Sequence, residues 1–346
     1  MNPLNPKDSI CILPKLSGLG GPTSFQGRLV QGLTQRGIAV HFNPADPSCR
    51  AILVIGGTKQ LADIWQAKRR GVRIVQRLNG MNWIHRKRTT GLKHYLRSEY
   101  GNWNLSFIRR YFADHIVYQS QFARSWWQTR YRTVSATSSV IYNAVDLNIF
   151  TPEGTGSPPE DHIRLMIVEG HLGGGNEPGL ENAARLSTLL AERIGEPVEL
   201  MVVGDVPESL RKQIEFQTHA WISWAGVISR DRIPETDRSA HLLFSADLNA
   251  ACPNSVVEAL ACGLPVVAYA TGSLPELIQE SAGRVAPYGS NYWNLEPPVI
   301  ENLVDAAVEV LSNLPAFRLG ARKRAVENFG LDQMVESYLK DLLGDA

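Results

Sequence analysis

The sequence predicts an α/β protein that consists of two Rossmann-like domains, each built on a parallel sheet. Short apolar segments alternate with amphipathic helical segments in both halves, a pattern typical of strands joined by crossover helices. The pattern starts again after residues 152–159, where proline, glycine and serine give the composition of a linker. A chain of 346 residues is also long for one ordinary core.

Composition limits the function classes. Hydrophobic residues make up 44% of the chain and charged residues 20%, which predicts a folded globular protein. The net charge of +1 argues against a general polyanion binder. Cys11, Cys49, Cys252 and Cys262 show no metal-ligand spacing, so we expect reduced thiols of a cytoplasmic protein. No apolar run approaches the roughly 20 residues that span a bilayer, and the first residues do not resemble a signal peptide.

The first half contains the expected strands and helices in alternation. We expect strands at residues 9–13, 38–42, 51–55, 73–77 and 112–120. We expect helices that begin near residue 23 and that cover residues 59–70 and 121–130. Because this βα order implies a parallel sheet, ligands are expected at the carboxyl ends of the strands.

A glycine-rich loop follows the first strand and contains Gly20 and Gly21. Glycine lets a backbone approach a ligand closely, and a helix that begins near Thr23 would direct its N-terminus at that ligand. As a dinucleotide motif the loop is incomplete, because Thr23 occupies the third glycine position. From this stretch alone, a structural turn and a ligand loop are both compatible with the sequence.

The fourth strand ends at Arg77, and Asn79 and Gly80 follow it. The Asn79 amide can donate and accept hydrogen bonds but cannot serve as an acid or base. We interpret Asn79 as a contact for a bound sugar or acceptor. The alternative is a structural Asn-Gly turn.

Basic residues are concentrated between positions 68 and 110, where Glu99 is the only acid. They are Lys68, Arg69, Arg70, Arg73, Arg77, Arg86, Lys87, Arg88, Lys93, Arg97, Arg109 and Arg110. Such a region would attract phosphate or carboxylate on an acceptor, or the anionic heads of a membrane surface, and a solvated face is the alternative. Interleaved aromatic residues would also suit nucleic acid. No nucleic-acid motif accompanies them, so we expect no nucleic-acid partner.

The second half repeats the architecture. We expect strands at residues 163–168, 199–203, 220–224, 242–244 and 265–269, and helices in the tail from residue 301, the last at 331–343. The most informative stretch is 247–276, where a helix is expected at 256–262. Asn254, Ser255 and Glu258 give the pattern of a capping box, and a helix start of this kind can bind phosphate. The alternative is that these residues only cap the helix.

Residues 247–276 resemble the donor-binding segment of the retaining glycosyltransferases of family 4, which have the GT-B fold. A proline-containing loop, a helix with a glutamate, the G-L-P-V-V turn and the G-S-L-P-E loop occur here in the family's order. Residues 140–152 are similar to the segment that ends the family's N-terminal domain. The resemblance implies an acceptor-binding domain at 1–151 plus 328–346 and a nucleotide-sugar-binding domain at 152–327, facing a common cleft.

The resemblance also implies site residues. Cys252, Pro253, Asn254 and Ser255 would contact phosphate and sugar, Glu258 the ribose, Gly20 and Gly21 the phosphates, and Asn79 the sugar, at a position where the family has histidine. His171 and Asn176 stand where the family has an arginine and a lysine for the diphosphate. Ala250 replaces a second glutamate, and nearby Asp247 and Asn249 are possible substitutes. Arg230 and Arg232 are further candidates for a replacement charge.

The implied reaction transfers a sugar from a nucleotide-diphosphate sugar to a hydroxyl of a glycan, lipid-linked or small-molecule acceptor, with retention of configuration. No metal or other cofactor is expected, in agreement with the absence of a D-x-D sequence. One alternative is a degenerate GT-B protein that binds a nucleotide sugar without catalysis. A nucleotide-sugar 2-epimerase is the enzymatic alternative, and a dehydrogenase is a further one.

Overall fold

The computed structural model describes residues 9–18, 20–89, 91–173 and 177–344. The chain divides into two compact units. The first unit comprises Met1–Ala144 and Leu331–Ala346, and the second comprises Val145–Gly330.

The first unit contains six strands and the first four helices of the described chain. Its strands are β1 (Ser9–Leu13), β2 (Ala39–His41), β3 (Cys49–Ile55), β4 (Arg73–Leu78), β5 (His115–Tyr118) and β6 (Thr137–Val140). Its helices are α1 (Gly21–Gln35), α2 (Leu61–Arg69), α3 (Leu92–Tyr111) and α4 (Gln121–Tyr131). All strand pairs are parallel, in the order β2-β1-β3-β4-β5-β6.

The second unit is built in the same way. Its strands are β7 (Ile163–His171), β8 (Val198–Asp205), β9 (Trp221–Gly226), β10 (Leu242–Ser245), β11 (Val266–Tyr269) and β12 (Gly283–Ala286). Its helices are α5 (Glu177–Ile194), α6 (Glu208–Gln217), α7 (Ile233–Arg238), α8 (Asn254–Ala261), α9 (Leu274–Leu277), α10 (Ile300–Ser312) and α11 (Leu314–Asn328). The last helix, α12 (Leu331–Leu343), belongs to the first unit.

The first sheet is buried on both faces because successive residues of a strand point to opposite sides. Ile10 and Ile12 of β1 pack with α1 and α12, whereas Cys11 and Leu13 pack on the other face with α2 and Ile108 of α3. This two-sided cover explains the continuous apolar runs that predicted a parallel sheet.

The second sheet has the strand order β12-β11-β10-β7-β8-β9, and all its pairs are parallel. The chain fills the sheet outward from β7 in one direction and then returns to add β10 on its other side. The border between β7 and β10 is therefore a topological switch point, where open α/β sheets bind ligands beyond the carboxyl ends of the strands.

The strand expected at 112–120 covers only His115–Tyr118, and the elements that were not predicted include α3, β6 and β12. Two further differences, in the helix at 256–262 and the strand at 163–168, bear on the site. Helix α8 begins two residues earlier, at Asn254, with Pro253 as its N-cap at φ −69°, and no side chain caps it. The expected capping box is therefore wrong, and Ser255 lies within the first turn. Strand β7 continues to His171, so Glu169 and His171 stand on a strand end where a loop was expected.

Within the described part of the chain, no helix has both the length and the apolar character to cross a membrane. All four cysteines are buried and free of disulfide bonds.

Candidate functional site

The N-terminus of α8 opens at the switch-point edge of the second sheet. Its inward face is fully apolar and includes Val256, Val257 and Leu260, whereas Asn254, Ser255 and Glu258 are only half-buried on the other side. The first backbone bond of the helix runs from the Val257 N–H to the Pro253 carbonyl, so the helix itself offers no acceptor to the Ser255 and Val256 N–H groups. Such a helix end favours an anion.

The loops after β10 and β11 contact each other beside this helix end. The Ser273 N–H donates to the Ala250 carbonyl at 2.9 Å. Gly272 adopts φ +59°, and a Cβ at this position would lie 2.6 Å from the Ala250 nitrogen. Only glycine permits this backbone approach. The two loops therefore form one continuous wall.

Four polar side chains in this wall are buried without a hydrogen-bond partner among the described residues. They are Ser245, Asn249, Thr271 and Ser273, with exposed fractions of 5%, 4%, 1% and 0%. Both polar atoms of the Asn249 amide are affected, and Asn249 also adopts φ +58°. Buried polar groups are nearly always paired, and an unpaired one costs about 1–3 kcal/mol. Hydroxyls and an amide gathered at a switch point are suited to a polar ligand.

Two carboxyl groups, Glu169 at the end of β7 and Asp247 after β10, lie on either side of the switch point. Burial raises the pKa of Glu169 well above its ordinary value, and the neighbouring Asp247 raises it further. Burial also raises the pKa of Asp247. Burial and the closeness of the two carboxyl groups therefore disfavour the form in which both are charged.

Glu258 lies one turn into α8, close to Asp237 of α7. Burial, and after it the charge of Glu258, raises the pKa of Asp237 well above its ordinary value. Asp237 is 1% exposed, so its carboxyl is shielded, whereas Glu258 remains accessible. Cys252 and Pro253, which precede the helix, are buried.

His171 is fixed at the end of β7 by Asp205 at the end of β8. Its Nδ1 donates to the Asp205 Oδ2 at 2.9 Å, and both side chains are more than half exposed. The Nε2 atom lies over Gly173, where a Cβ would be only 2.8 Å away. Gly173 thus leaves room for the ring. Asn176, the other predicted diphosphate residue, lies outside the described residues.

Gly20 and Gly21 begin α1 at the carboxyl end of β1. Gly20 is the N-cap and accepts the N–H groups of Thr23 and Ser24, so the helix starts two residues before the predicted Thr23. The buried Gln26 side chain holds the preceding loop: its Oε1 accepts the Leu16 N–H at 2.9 Å, and its Nε2 donates to Pro14 at 2.8 Å. The start of α1 is thereby fixed next to the loop.

Asn79 is held in one orientation at the end of β4. Its Oδ1 accepts from Arg77 at 2.8 Å and from Gln119 at 2.6 Å. The Asn79 carbonyl also accepts the Trp127 indole N–H at 2.7 Å. Because both side-chain bonds end on Oδ1, Nδ2 is the atom that Asn79 offers to a ligand. Neither Asn79 nor Gly80 has a positive φ, unlike the central residues of a type I′ Asn-Gly turn.

The predicted basic region is divided by the fold. Arg77 and Arg109 are buried, Lys68 pairs with Asp114 at 2.6 Å, and Arg86 pairs with Glu99. The exposed basic side chains from 87 to 110 are Lys87, Arg88, Lys93, Arg97 and Arg110. Arg232, proposed as a replacement charge, lies on an exposed turn near Glu235 at 3.6 Å.

The second unit of the chain is similar in sequence to known glycosyltransferases. Residues 169–313 match the sequence model of the family described as Glycosyl transferases group 1. One subunit of the phosphatidylinositol N-acetylglucosaminyltransferase of Homo sapiens is 25% identical over 148 residues, which are 41% of this chain and 29% of that protein. The chain therefore matches less than a third of that relative's length.

Solved structures extend the similarity over both units. Sucrose-phosphate synthase of Thermosynechococcus elongatus has a TM-score of 0.71 at 14% identity, covering 96% of this chain and 98% of that one. Anabaena HepE, solved with UDP and glucose, has a TM-score of 0.66 at 15% identity, covering 97% of this chain and 99% of that one. The chain has the GT-B fold. In this GT-B protein, the matched family segment contains α8, both wall loops, Glu169 and His171.

Sequence reasoning identified Glu258, Asp247, Asn249 and His171 as residues of interest, but it did not single out Ser245, Thr271 or Ser273. Small polar residues in a loop are common, and although Ser273 belongs to the G-S-L-P-E loop, no role was predicted for its side chain. Their distinguishing property is burial without a partner, which depends on how two separate loops pack. The available signals were their location after β10 and β11, at the carboxyl ends of parallel strands, and, for Ser273, the G-S-L-P-E loop.

Proposed function

We propose that this GT-B protein is a retaining, metal-independent glycosyltransferase that moves a sugar from a nucleotide-diphosphate sugar to an acceptor hydroxyl. The observation that carries the proposal is the set of buried, partnerless polar side chains Ser245, Asn249, Thr271 and Ser273 beside the start of α8. A sugar diphosphate supplies many hydroxyls and phosphate oxygens, which these groups and the helix end would bind. The match of residues 169–313 to Glycosyl transferases group 1 supports the same reading.

The second unit would bind the donor. The segment from Cys252 to Ser255, which leads into α8, would contact the diphosphate, with backbone N–H groups at the helix start donating to it. Glu258 would accept hydrogen bonds from the ribose hydroxyls. Thr271 and Ser273 would donate to phosphate or sugar oxygens. Glu169 and Asp247, whose pKa values are raised by burial, would contact sugar hydroxyls. HepE solved with UDP-glucose is a structural neighbour that binds such a donor.

The diphosphate has few cationic partners in this proposal. His171 would contact it through Nε2, with Nδ1 held by Asp205. Asn176 would add a neutral amide. Phosphate stabilisation by the helix N-terminus and backbone amides takes the role that a metal ion has in other sites, which is the basis for proposing metal independence.

The first unit would bind the acceptor near Gly20, Gly21 and Asn79. In the proposed step the bond from the anomeric carbon to the donor phosphate breaks, and a bond from that carbon to the acceptor oxygen forms on the same face. The acceptor proton passes to the departing phosphate oxygen, so no side chain need act as a base. Asn79 Nδ2 would donate a hydrogen bond to the sugar or acceptor and hold it in position.

A panel of UDP, GDP, ADP and TDP sugars tests the proposal. We expect one donor class to give a thermal shift, hydrolysis or transfer that survives EDTA, and proton NMR of the product to show the donor's anomeric configuration. Inversion would contradict retention, and loss of turnover in EDTA would contradict metal independence. The absence of binding to every sugar nucleotide would reject the donor site.

A second candidate is a GT-B protein that binds a nucleotide sugar without transferring it. The observation in its favour is Asp205, whose carboxylate lies 2.9 Å from the imidazole at the expected diphosphate position. An anionic group there opposes phosphate binding and the release of a charged leaving group. Donor binding by calorimetry with neither hydrolysis nor transfer would favour this candidate.

A further inference from the structure

Helix α3 exposes an apolar stripe along its outer face. The side chains Leu92, Leu96, Tyr100, Trp103 and Tyr111 are 75%, 58%, 55%, 52% and 59% exposed. Together with the half-buried Phe107 they recur every three or four residues, which is the spacing of one helix face. A helix of this length extends for about 30 Å. Large apolar side chains gathered in such a patch mark an interaction surface.

The inward face of α3 is mostly polar, which is the reverse of an ordinary surface helix. Its buried residues are Ser98, Asn102, Asn104, Ile108 and Arg109. Asn102 exchanges two hydrogen bonds with the Asn82 backbone, at 3.0 and 2.8 Å. These contacts fix the rotation of the helix. The apolar side therefore faces outward because polar partners hold the other side against the sheet.

The aromatic members of the stripe contact one another in sequence. Ring centroids are 6.0 Å apart for Tyr100 and Trp103, 5.1 Å for Trp103 and Phe107, and 4.9 Å for Phe107 and Tyr111. The result is a continuous aromatic surface that ends in two leucines. Tyrosine and tryptophan side chains, with apolar rings and a polar tip, are typical of a membrane interface.

The exposed lysine and arginine side chains of residues 87–110 are not balanced by an exposed acid in that segment. The exposed basic side chains are Lys87, Arg88, Lys93, Arg97 and Arg110. The only acid in this region, Glu99, is held by Arg86 at 2.8 Å and by His85 at 2.8 Å. A second copy of the chain would bring another set of positive charges against this face. A partner with an apolar interior and a negatively charged surface is more complementary to this face.

We propose that the outer face of α3 docks on an anionic lipid bilayer surface, with its leucines and aromatic rings among the headgroups and its basic side chains against lipid phosphates. Such in-plane helices combine an apolar face with Lys and Arg, and their binding depends on both. Exposed leucines would stabilise binding to a lipid bilayer but give no advantage in binding nucleic acid. They therefore favour an anionic bilayer over nucleic acid as the partner. This proposal is independent of the transfer reaction.

The test is co-sedimentation of the full chain with phosphatidylglycerol–phosphatidylcholine vesicles and with phosphatidylcholine vesicles alone. We expect binding to the anionic vesicles, with at least ten-fold weaker affinity for Leu96→Gln with Trp103→Gln. Lys93→Gln with Arg97→Gln should weaken binding by about five-fold per charge and reduce its salt dependence. The apolar control is Phe216→Gln with Leu319→Gln, at side chains 92% and 74% exposed in the second unit, and the charge control is Lys212→Gln with Lys323→Gln.

Circular dichroism of each variant confirms folding, which is expected because the replaced side chains are exposed. The proposal is overturned if anionic vesicles do not bind, or if the control variants lose binding as much as the α3 variants. It is also overturned if the α3 variants change only a monomer–dimer equilibrium, or if the wild type prefers single-stranded oligonucleotides to vesicles. Donor titration without vesicles reports separately on the sugar-nucleotide site.

Discussion

The Nδ1 atom of His171 lies 2.9 Å from the Oδ2 atom of Asp205, so the imidazole at the expected diphosphate position is tied to a carboxylate. A hydrogen bond of this kind orients the ring and sets which nitrogen faces outward. In the proposed donor site it would also place a negative charge close to the phosphates of the donor. The proposed site would therefore provide less positive charge than an arginine at this position.

His171→Arg should strengthen donor binding. A guanidinium carries a permanent charge and can form two parallel hydrogen bonds to phosphate, so we expect the Kd for the sugar nucleotide to fall about ten-fold. Calorimetry measures the effect. The matched control is His219→Arg, which adds the same charge on an exposed loop before β9, at the opposite edge of the sheet. Equal effects of both substitutions would mean that His171 does not contact the diphosphate.

Asn79→Asp separates the structural role of the Asn79 Oδ1 atom from the proposed ligand contact of its Nδ2 atom. The carboxylate keeps an oxygen for Arg77 and Gln119, so the free energy of unfolding should not fall. The Nδ2 donor is lost, and we expect kcat to fall about ten-fold or more. Asn79→Ala, which leaves Arg77 and Gln119 without this acceptor, should cost about 1–3 kcal/mol of stability. Unchanged turnover in Asn79→Asp would refute a ligand contact.

Glu258→Gln should weaken donor binding through the ribose. A charge-assisted hydrogen bond contributes roughly 1.5–3 kcal/mol, so we expect the Kd to rise ten-fold or more. The 2′-deoxy donor should bind wild type about as weakly and should be insensitive to the substitution. A thermodynamic cycle over protein and ligand measures this coupling. If the effects of the substitution and of removing the 2′-hydroxyl on the binding free energy were additive, Glu258 would not contact that hydroxyl.

His241 should make the second unit sensitive to acid. Burial, and after it the charge of Arg318, lowers the pKa of His241 from 6.5 to about 4, and its Nδ1 accepts the Arg164 N–H at 2.9 Å. Between these pH values the unfolded chain takes up a proton that the folded chain refuses, so stability falls as pH falls through this window. We expect a loss on the order of 2 kcal/mol.

Urea unfolding of wild type and His241→Asn at several pH values isolates this contribution. The asparagine side chain is not charged in acid, and its oxygen can still accept the Arg164 N–H. The difference between the two curves should therefore change between pH 6.5 and about 4 and stay constant above that range. Parallel curves throughout would show that His241 does not titrate with folding.

The sequence predicted the strands well where they are buried on both faces. The prediction at residues 9–13 coincides with β1 because five consecutive residues are buried there, between a polar start and Pro14. Helix α8 was placed two residues late because Asn254 and Ser255 resemble caps. The fixed φ of Pro253 suits the N-cap, so the helix starts immediately after it.

Helix α3 was not predicted, because the sequence was interpreted there only as a basic region with interleaved aromatic residues. Its apolar residues do recur at helical spacing, but the usual inference from that spacing is a buried face. Here Asn102 and its polar neighbours take the buried side through contacts with distant residues, such as Asn82. The sequence thus indicated the basic and aromatic composition of the region without indicating which way the helix faces.

Some residues of the candidate site could be identified from the sequence and others could not. Glu258 and His171 were accessible to sequence reasoning because they lie in segments that resemble those of the family 4 glycosyltransferases. The roles of Thr271 and Ser273 depend on contacts between two loops more than twenty residues apart. Such contacts have no local signature.

Thr271→Val with Ser273→Ala tests the central claim, that these buried hydroxyls serve a sugar nucleotide and not the fold. Both changes remove an unpaired oxygen and keep nearly the same shape, so the free energy of unfolding should stay the same or rise. Calorimetry should show the donor Kd rising about ten-fold, from two lost hydrogen bonds. Unchanged donor affinity, or destabilisation by several kcal/mol, would contradict the account.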